Sequence, residues 1–126
     1  MRTLFAVVLT LLLALVALRS ASPAVNPTGP VSGEAPFMQA AHGNAPGCIA
    51  CHSLEPETVL VGPSVANIAG RAGARVPGQQ AADYLRESIV NPDAYVVDGF
   101  TAGVMYQNYA EALTEEQIDA LVTFLL

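Results

Sequence analysis

Apolar residues fill one early stretch almost without a break. Leu4 to Leu18 carries no charge, with Arg2 before it and Arg19 after it. Fifteen helical residues span roughly 22 Å, short of a hydrocarbon core of roughly 30 Å. That length suits a secretory signal. A cut after Ser20-Ala21-Ser22 would be hindered by Pro23, however, and Ser22-Pro23-Ala24 is a second candidate. Residues 1–19 therefore read as a signal peptide or as an N-terminal membrane anchor. An anchor is the expectation carried forward, with a thinned bilayer and snorkelling arginines covering the shortfall.

The pattern then changes. Residues 20–34 are rich in Ser, Pro, Ala and Gly with no apolar period, which predicts a flexible linker. Residues 35–126 form the expected domain. A short helix is predicted from Pro36 to His42, stopped by Gly43. Residues 55–75 are broken by Pro56, Gly62, Pro63, Gly70 and Gly73 and read as loop, with one helical turn at Asn67 to Arg71. Gln80 to Val90 places Ala81, Tyr84, Leu85, Ser88 and Ile89 on one helical face, and Pro92 ends it. Residues 91–112 read as irregular. Thr114 and Gln117 form a capping box ahead of the apolar stripe Ile118, Leu121, Val122, Leu125. Glu115 and Glu116 suit the positive end of that helix dipole. No strand pattern and no repeat appears. The expected fold is all-α, small and loop-rich, preceded by an N-terminal hydrophobic helix.

Charge narrows the partners. The chain has no lysine, and beyond Ala21 its only basic residues are Arg71, Arg75 and Arg86. All eleven acids lie there too, so that part carries −8. Nucleic acid rewards clustered basic charge, so it is excluded as a partner. A protein partner would present basic or apolar surface at the contact.

The run Cys48-Ile49-Ala50-Cys51-His52 carries the chemistry. C-x-x-C-H is the spacing for covalent c-type haem. Two thiols on one turn can add to the two vinyl groups on one haem edge, and His52 then sits below the iron. Other uses fit less well. No β-branched strand precedes the motif, as a redox dithiol would need. A zinc site would have only Cys48, Cys51, His42 and the adjoining His52. Haem also answers a second problem, because a core this small is marginal alone and a buried apolar disc enlarges it. For the sixth iron position the sequence offers Met105, Met38 and His42. Met105 lies in a segment that Gly99 and Gly103 leave free to bend. Met38, beside Phe37, reads as core packing.

From Phe37 to Leu126 the chain resembles class I cytochrome c domains, especially the single-haem modules attached to bacterial membrane respiratory or photosynthetic complexes. The matching pieces follow the haem motif in order: Val61-Gly62-Pro63-Ser64, Gly70-Arg71-Ala72-Gly73, Tyr84 through Pro92, Gly103-Val104-Met105 and Leu113 through Val122. The resemblance implies a cytochrome c fold around one covalent haem c, with His52 and Met105 as axial ligands and the first and last helices crossing. It also implies that the Pro63 carbonyl accepts from the His52 imidazole and that Arg71 faces a haem propionate; a solvated surface arginine is the other reading of Arg71. One departure is Tyr106, where the family usually has proline after the methionine. Tyr106 and Tyr109 could then reach a propionate or pack on the haem edge, while Tyr84 and Tyr95 read as core.

Six-coordinate iron leaves no vacancy for substrate, so the expected role is one-electron transfer, with no bond-making chemistry of its own. The expected setting is a membrane-tethered subunit of an electron-transport complex, on the periplasmic or extracytoplasmic face, exchanging electrons with redox partner proteins. A free periplasmic shuttle and an open-site haem sensor or enzyme are the alternatives.

Overall fold

The computed structural model describes residues 32–126. The expected leader or anchor, and residues 20–31 of the expected linker, lie outside them. Among the described residues no helix is long and apolar enough to cross a membrane. Within residues 32–126 five helices carry the architecture: α1 (Glu34–Met38), α2 (Ala69–Ala72), α3 (Ala81–Val90), α4 (Tyr109–Ala112) and α5 (Glu115–Leu125). Single 3-10 turns occur at Cys48–Ala50 and Pro92–Ala94.

The first element differs from expectation. The helix ends at Met38 instead of reaching His42, and a two-residue antiparallel ladder follows, β1 (Ala41–His42) and β2 (Ala45–Pro46), with Ala41 opposite Pro46 and His42 opposite Ala45. Gly43, expected to stop a helix, opens the connecting turn with φ of 62°. That is a conformation a two-residue hairpin turn asks of glycine. Two strand residues are too few for an alternating pattern to register, which is why no strand was expected.

The later helices lie close to expectation. The predicted turn at Asn67 to Arg71 is displaced to Ala69–Ala72. α3 starts at Ala81 with Gln80 extended at its N-cap. α5 has both halves of its capping box: the Thr114 side chain accepts from the Gln117 amide at 3.3 Å, and the Gln117 side chain accepts from the Thr114 amide at 2.9 Å. The stretch expected to be irregular, 91–112, contains the turn at Pro92–Ala94 and the four-residue α4.

Two apolar clusters form the core. Phe37, Ala45, Tyr109, Leu113, Ile118 and Leu121 make one; Ile68, Ala72, Tyr84, Leu85 and Val122 make the other. α5 contributes to both, because its stripe is wide enough to face two sides. α1 packs against α5, with the Phe37 and Phe124 rings 5.6 Å apart. Gly33 is buried at that crossing, where a Cβ would collide with the Ala120 carbonyl. Arg86 on α3 pairs with Glu115 at 2.9 Å and with Asp119, tying the outer faces of α3 and α5. Tyr84 is buried and meets Tyr95 edge to face at 5.9 Å. Met38, expected in the core, is half exposed instead, because the helix turns its other side to α5.

Candidate haem site

Between the two clusters lies a cleft of about 910 Å³, lined mostly by apolar side chains. That volume is at the upper end of the range for ligand pockets. Cys48, Cys51 and His52 form one wall, and Met105 also lines it. The local backbone explains how the motif is presented. Gly47, buried against the Gln39 carbonyl, leads into the 3-10 turn at Cys48–Ala50, and the amides of Cys51 and His52 both donate to the Cys48 carbonyl, at 3.1 and 2.9 Å. The turn brings the two thiols and the imidazole to the same cleft. Burial, with some help from the neighbouring Cys51, pushes the Cys48 thiol above its ordinary pKa, so it is a neutral thiol at pH 7.

The imidazole is fixed by the loop at 62–65. His52 Nδ1 donates to the Pro63 carbonyl oxygen at 2.9 Å, the pairing the resemblance implied. That bond assigns the proton to Nδ1 and leaves Nε2 as the lone-pair donor. Two backbone bonds hold the loop against the motif: Gly62 N to the Cys51 carbonyl and Val65 N to the Ser53 carbonyl, each 2.9 Å. Gly62 lies against the ring itself. A Cβ there would sit 2.5 Å from His52 Cε1 and 2.9 Å from Nδ1.

Arg71 lines the cleft, but its guanidinium is engaged with the chain. Nη1 donates to the Ala66 carbonyl at 2.6 Å and Nη2 to the Ser64 carbonyl at 2.7 Å. These bonds use two of its five N–H groups, so it is more than a solvated surface arginine. It braces the segment that presents Pro63. Such bonds from a charged donor are among the stronger neutral-acceptor contacts.

Of the three candidates for the sixth iron position, only Met105 lines the cleft. Met38 is half exposed, and His42 is 4% exposed within the hairpin, with Nε2 unpartnered. The Met105 loop lacks the stiffening proline, yet it is tied down. Asp93 Oδ1 accepts from the Gly103 amide at 2.9 Å and from Gln107 Nε2 at 3.3 Å, and Gln107 Nε2 also donates to the Met105 carbonyl at 2.8 Å. Gly99 and Gly103, with φ of 89° and 75°, supply its bends. Tyr106 and Tyr109 both line the cleft, with ring centroids 5.1 Å apart. The Tyr109 hydroxyl donates to the Pro46 carbonyl at 2.8 Å, so it locks the hairpin to α4. Burial above all pushes that phenol up to about 12.

Sequence reasoning did not assign roles to Asp93 or to the close approach of Gly62. Gly62 stood inside a quoted motif, where a glycine beside a proline already hinted at close backbone packing. Asp93 had no local signal, because its partners lie ten and fourteen residues away.

The residues suit a c-type haem: paired thiols at an apolar cleft, an imidazole held by its far nitrogen, and a thioether on the same cleft. No curated protein and no solved structure gives a match. A family model described as cytochrome c matches residues 32–126, about three quarters of the chain. The chain therefore belongs to the cytochrome c family, a family of haem-based electron-transfer proteins with covalently attached haem c.

Proposed function

We propose that this protein is an electron carrier whose iron is held axially by His52 and Met105, acting as a membrane-tethered subunit of an electron-transport complex on the extracytoplasmic face. The observation that supports the ligand pair is the His52–Pro63 bond, which frees Nε2 on a cleft that Met105 also lines. When bound, the haem supplies a reversible one-electron change at its iron. Pro63 orients the imidazole and raises the basicity of Nε2. The Met105 sulfur favours the ferrous state, and the apolar walls exclude water. Cys48 and Cys51 hold the group by covalent bonds, so it cannot be lost to a partner.

The surroundings bear on the partner. Val59, Leu60, Val61 and Val104 are exposed at the rim of the cleft, with Glu55 and Glu57 just before them in the chain. A redox protein with an apolar patch flanked by basic residues would complement this edge. The apolar stretch Leu4 to Leu18 and the linker after it support tethering.

Intact mass and the visible spectrum test the carrier reading together. One haem added to the polypeptide, and no spectral response of the reduced protein to carbon monoxide, are expected. Met105→Ala should open the iron to carbon monoxide and lower the potential. A variant with unchanged potential would show that another residue is the ligand. N-terminal sequencing of the mature protein tests the tether, since a start between Ala21 and Val25 would leave a free shuttle.

A further inference from the structure

We infer that Asp93 is a positioning residue for Met105: its carboxylate holds both ends of the loop that carries the thioether, and so sets how readily the sixth iron position opens to an outside ligand. The inference rests on the axial pair proposed above. Met105 lies midway between Gly103 and Gln107, two residues from each. A single oxygen, Asp93 Oδ1, accepts from both sides: from the Gly103 amide at 2.9 Å and from Gln107 Nε2 at 3.3 Å. Gln107 Nε2 also donates to the Met105 carbonyl at 2.8 Å. Two acceptors on the same nitrogen fix which way the Gln107 amide faces. One carboxylate thus closes the chain from 103 to 107 around the sulfur-bearing residue.

The rest of that loop has little hold of its own. Among the described residues, no backbone amide from Thr101 to Gln107 donates to a backbone carbonyl. Gly99 and Gly103, at positive φ, place its bends where glycine has the most conformational freedom to lose. No proline lies between Pro92 and Leu126, so no ring fixes a backbone angle there. Packing comes from the side, where Tyr106 meets Tyr109 edge to face. A loop with so few internal bonds samples open positions unless something outside it ties it down.

The tie runs to a firm post. Asp93 lies in the 3-10 turn Pro92–Ala94, directly after α3. Pro92 is buried, and the Ala94 amide donates to the Asn91 carbonyl at 3.0 Å. α3 packs on α5 and is joined to it by Arg86. The carboxylate therefore couples the Met105 loop to the helical frame. An outside ligand reaches the iron only when Met105 has moved off, so its apparent affinity scales with the fraction of molecules in which the loop is open. Bonds to a charged acceptor are the stronger class, and their exposure on the cleft lip moderates them. Asp93 thereby acts on the iron through Met105, with no contact of its own to the metal.

The test titrates imidazole, a neutral probe, into haem-loaded ferric wild type, Asp93→Ala, Asp93→Asn and Met105→Ala, and measures the potential of each. Asp93→Ala removes the acceptor and is expected to tighten apparent imidazole binding by about tenfold, through a larger open fraction. Asp93→Asn keeps an acceptor oxygen in the same place and loses only the charge, so its affinity should stay close to wild type. Both variants lose the same charge. The potential of Asp93→Ala is therefore expected below that of Asp93→Asn, and the difference reports the weakened thioether bond. An Asp93→Ala affinity equal to wild type overturns the inference. So does an equal gain in Asp93→Asn, which would leave charge as the cause. If Asp93→Ala does not mature, Gln107→Ala decides. It breaks the link to the Met105 carbonyl and should tighten binding too, and an unchanged affinity there overturns the inference. Failure of the axial pair looks different, because Met105→Ala would then bind imidazole no better than wild type. With Met105→Ala opened and Asp93→Ala unmoved, this inference alone falls.

Discussion

His52 is held from three directions: through its own amide to the Cys48 carbonyl, through Nδ1 to Pro63, and across its ring by Gly62. The last of these makes the sharpest residue-scale prediction. Gly62→Ala places a methyl group within 2.5 Å of Cε1, so the ring or the loop must move. Overpacking of this kind costs about 1–3 kcal/mol. Chemical unfolding of the haem-loaded variant should show a lower midpoint, and the visible spectrum should register the displaced His52 imidazole. An unchanged midpoint and spectrum would mean the ring moves aside freely. Pro63 and Arg71 were both pointed to by the sequence through their motifs. Only the folded chain shows that Arg71 supports the Pro63 segment through Ser64 and Ala66.

Among the elements, α5 links the most. Ile118 and Leu121 enter one core cluster and Val122 the other, so its N-terminal cap bears on both. Thr114→Ala removes the side-chain acceptor from the Gln117 amide and should cost about 1 kcal/mol. For a domain of this size that corresponds to a thermal midpoint lower by roughly 4–8 °C. Calorimetry of the haem-loaded protein would read it, and an unmoved midpoint would show that the box contributes nothing here. α5 was fully legible because its cap and its stripe are local and follow one period. α1 was half legible. Phe37 announced an apolar face, but the break at Gln39 and the pairing of His42 with Ala45 depend on the hairpin closing under Tyr109.

At the scale of the whole molecule, two modest clusters of buried side chains flank a large apolar cleft. Each cluster is small, and the wall between them is completed by the cofactor. Replacing both Cys48 and Cys51 with Ala should therefore abolish covalent haem and cooperative unfolding together. Circular dichroism during a thermal melt would record a broad, shallow transition. A sharp melt without covalent haem would show that the side-chain core suffices. The acidic balance of the chain acts at this scale as well. With three arginines against eleven acids beyond Ala21, and exposed valines and a leucine at the cleft rim, the molecule favours partners that bring their own basic charge.

The amino-acid sequence alone determined the chemistry that lies within one turn of chain: the paired thiols and imidazole at 48–52, the capping box at 114–117, and the apolar faces of α3 and α5. These depend on spacings of two to four residues, which the backbone geometry of a turn or helix converts directly into shared faces. Tertiary structure alone decided which distant groups meet. It put Met105 on the cleft while leaving Met38 half exposed and His42 in the hairpin, stapled the Met105 loop with Asp93, and joined Arg71 to the segment that presents Pro63. Those outcomes turn on the path of loops between elements, and a loop's path is set by long-range contacts that no local period records.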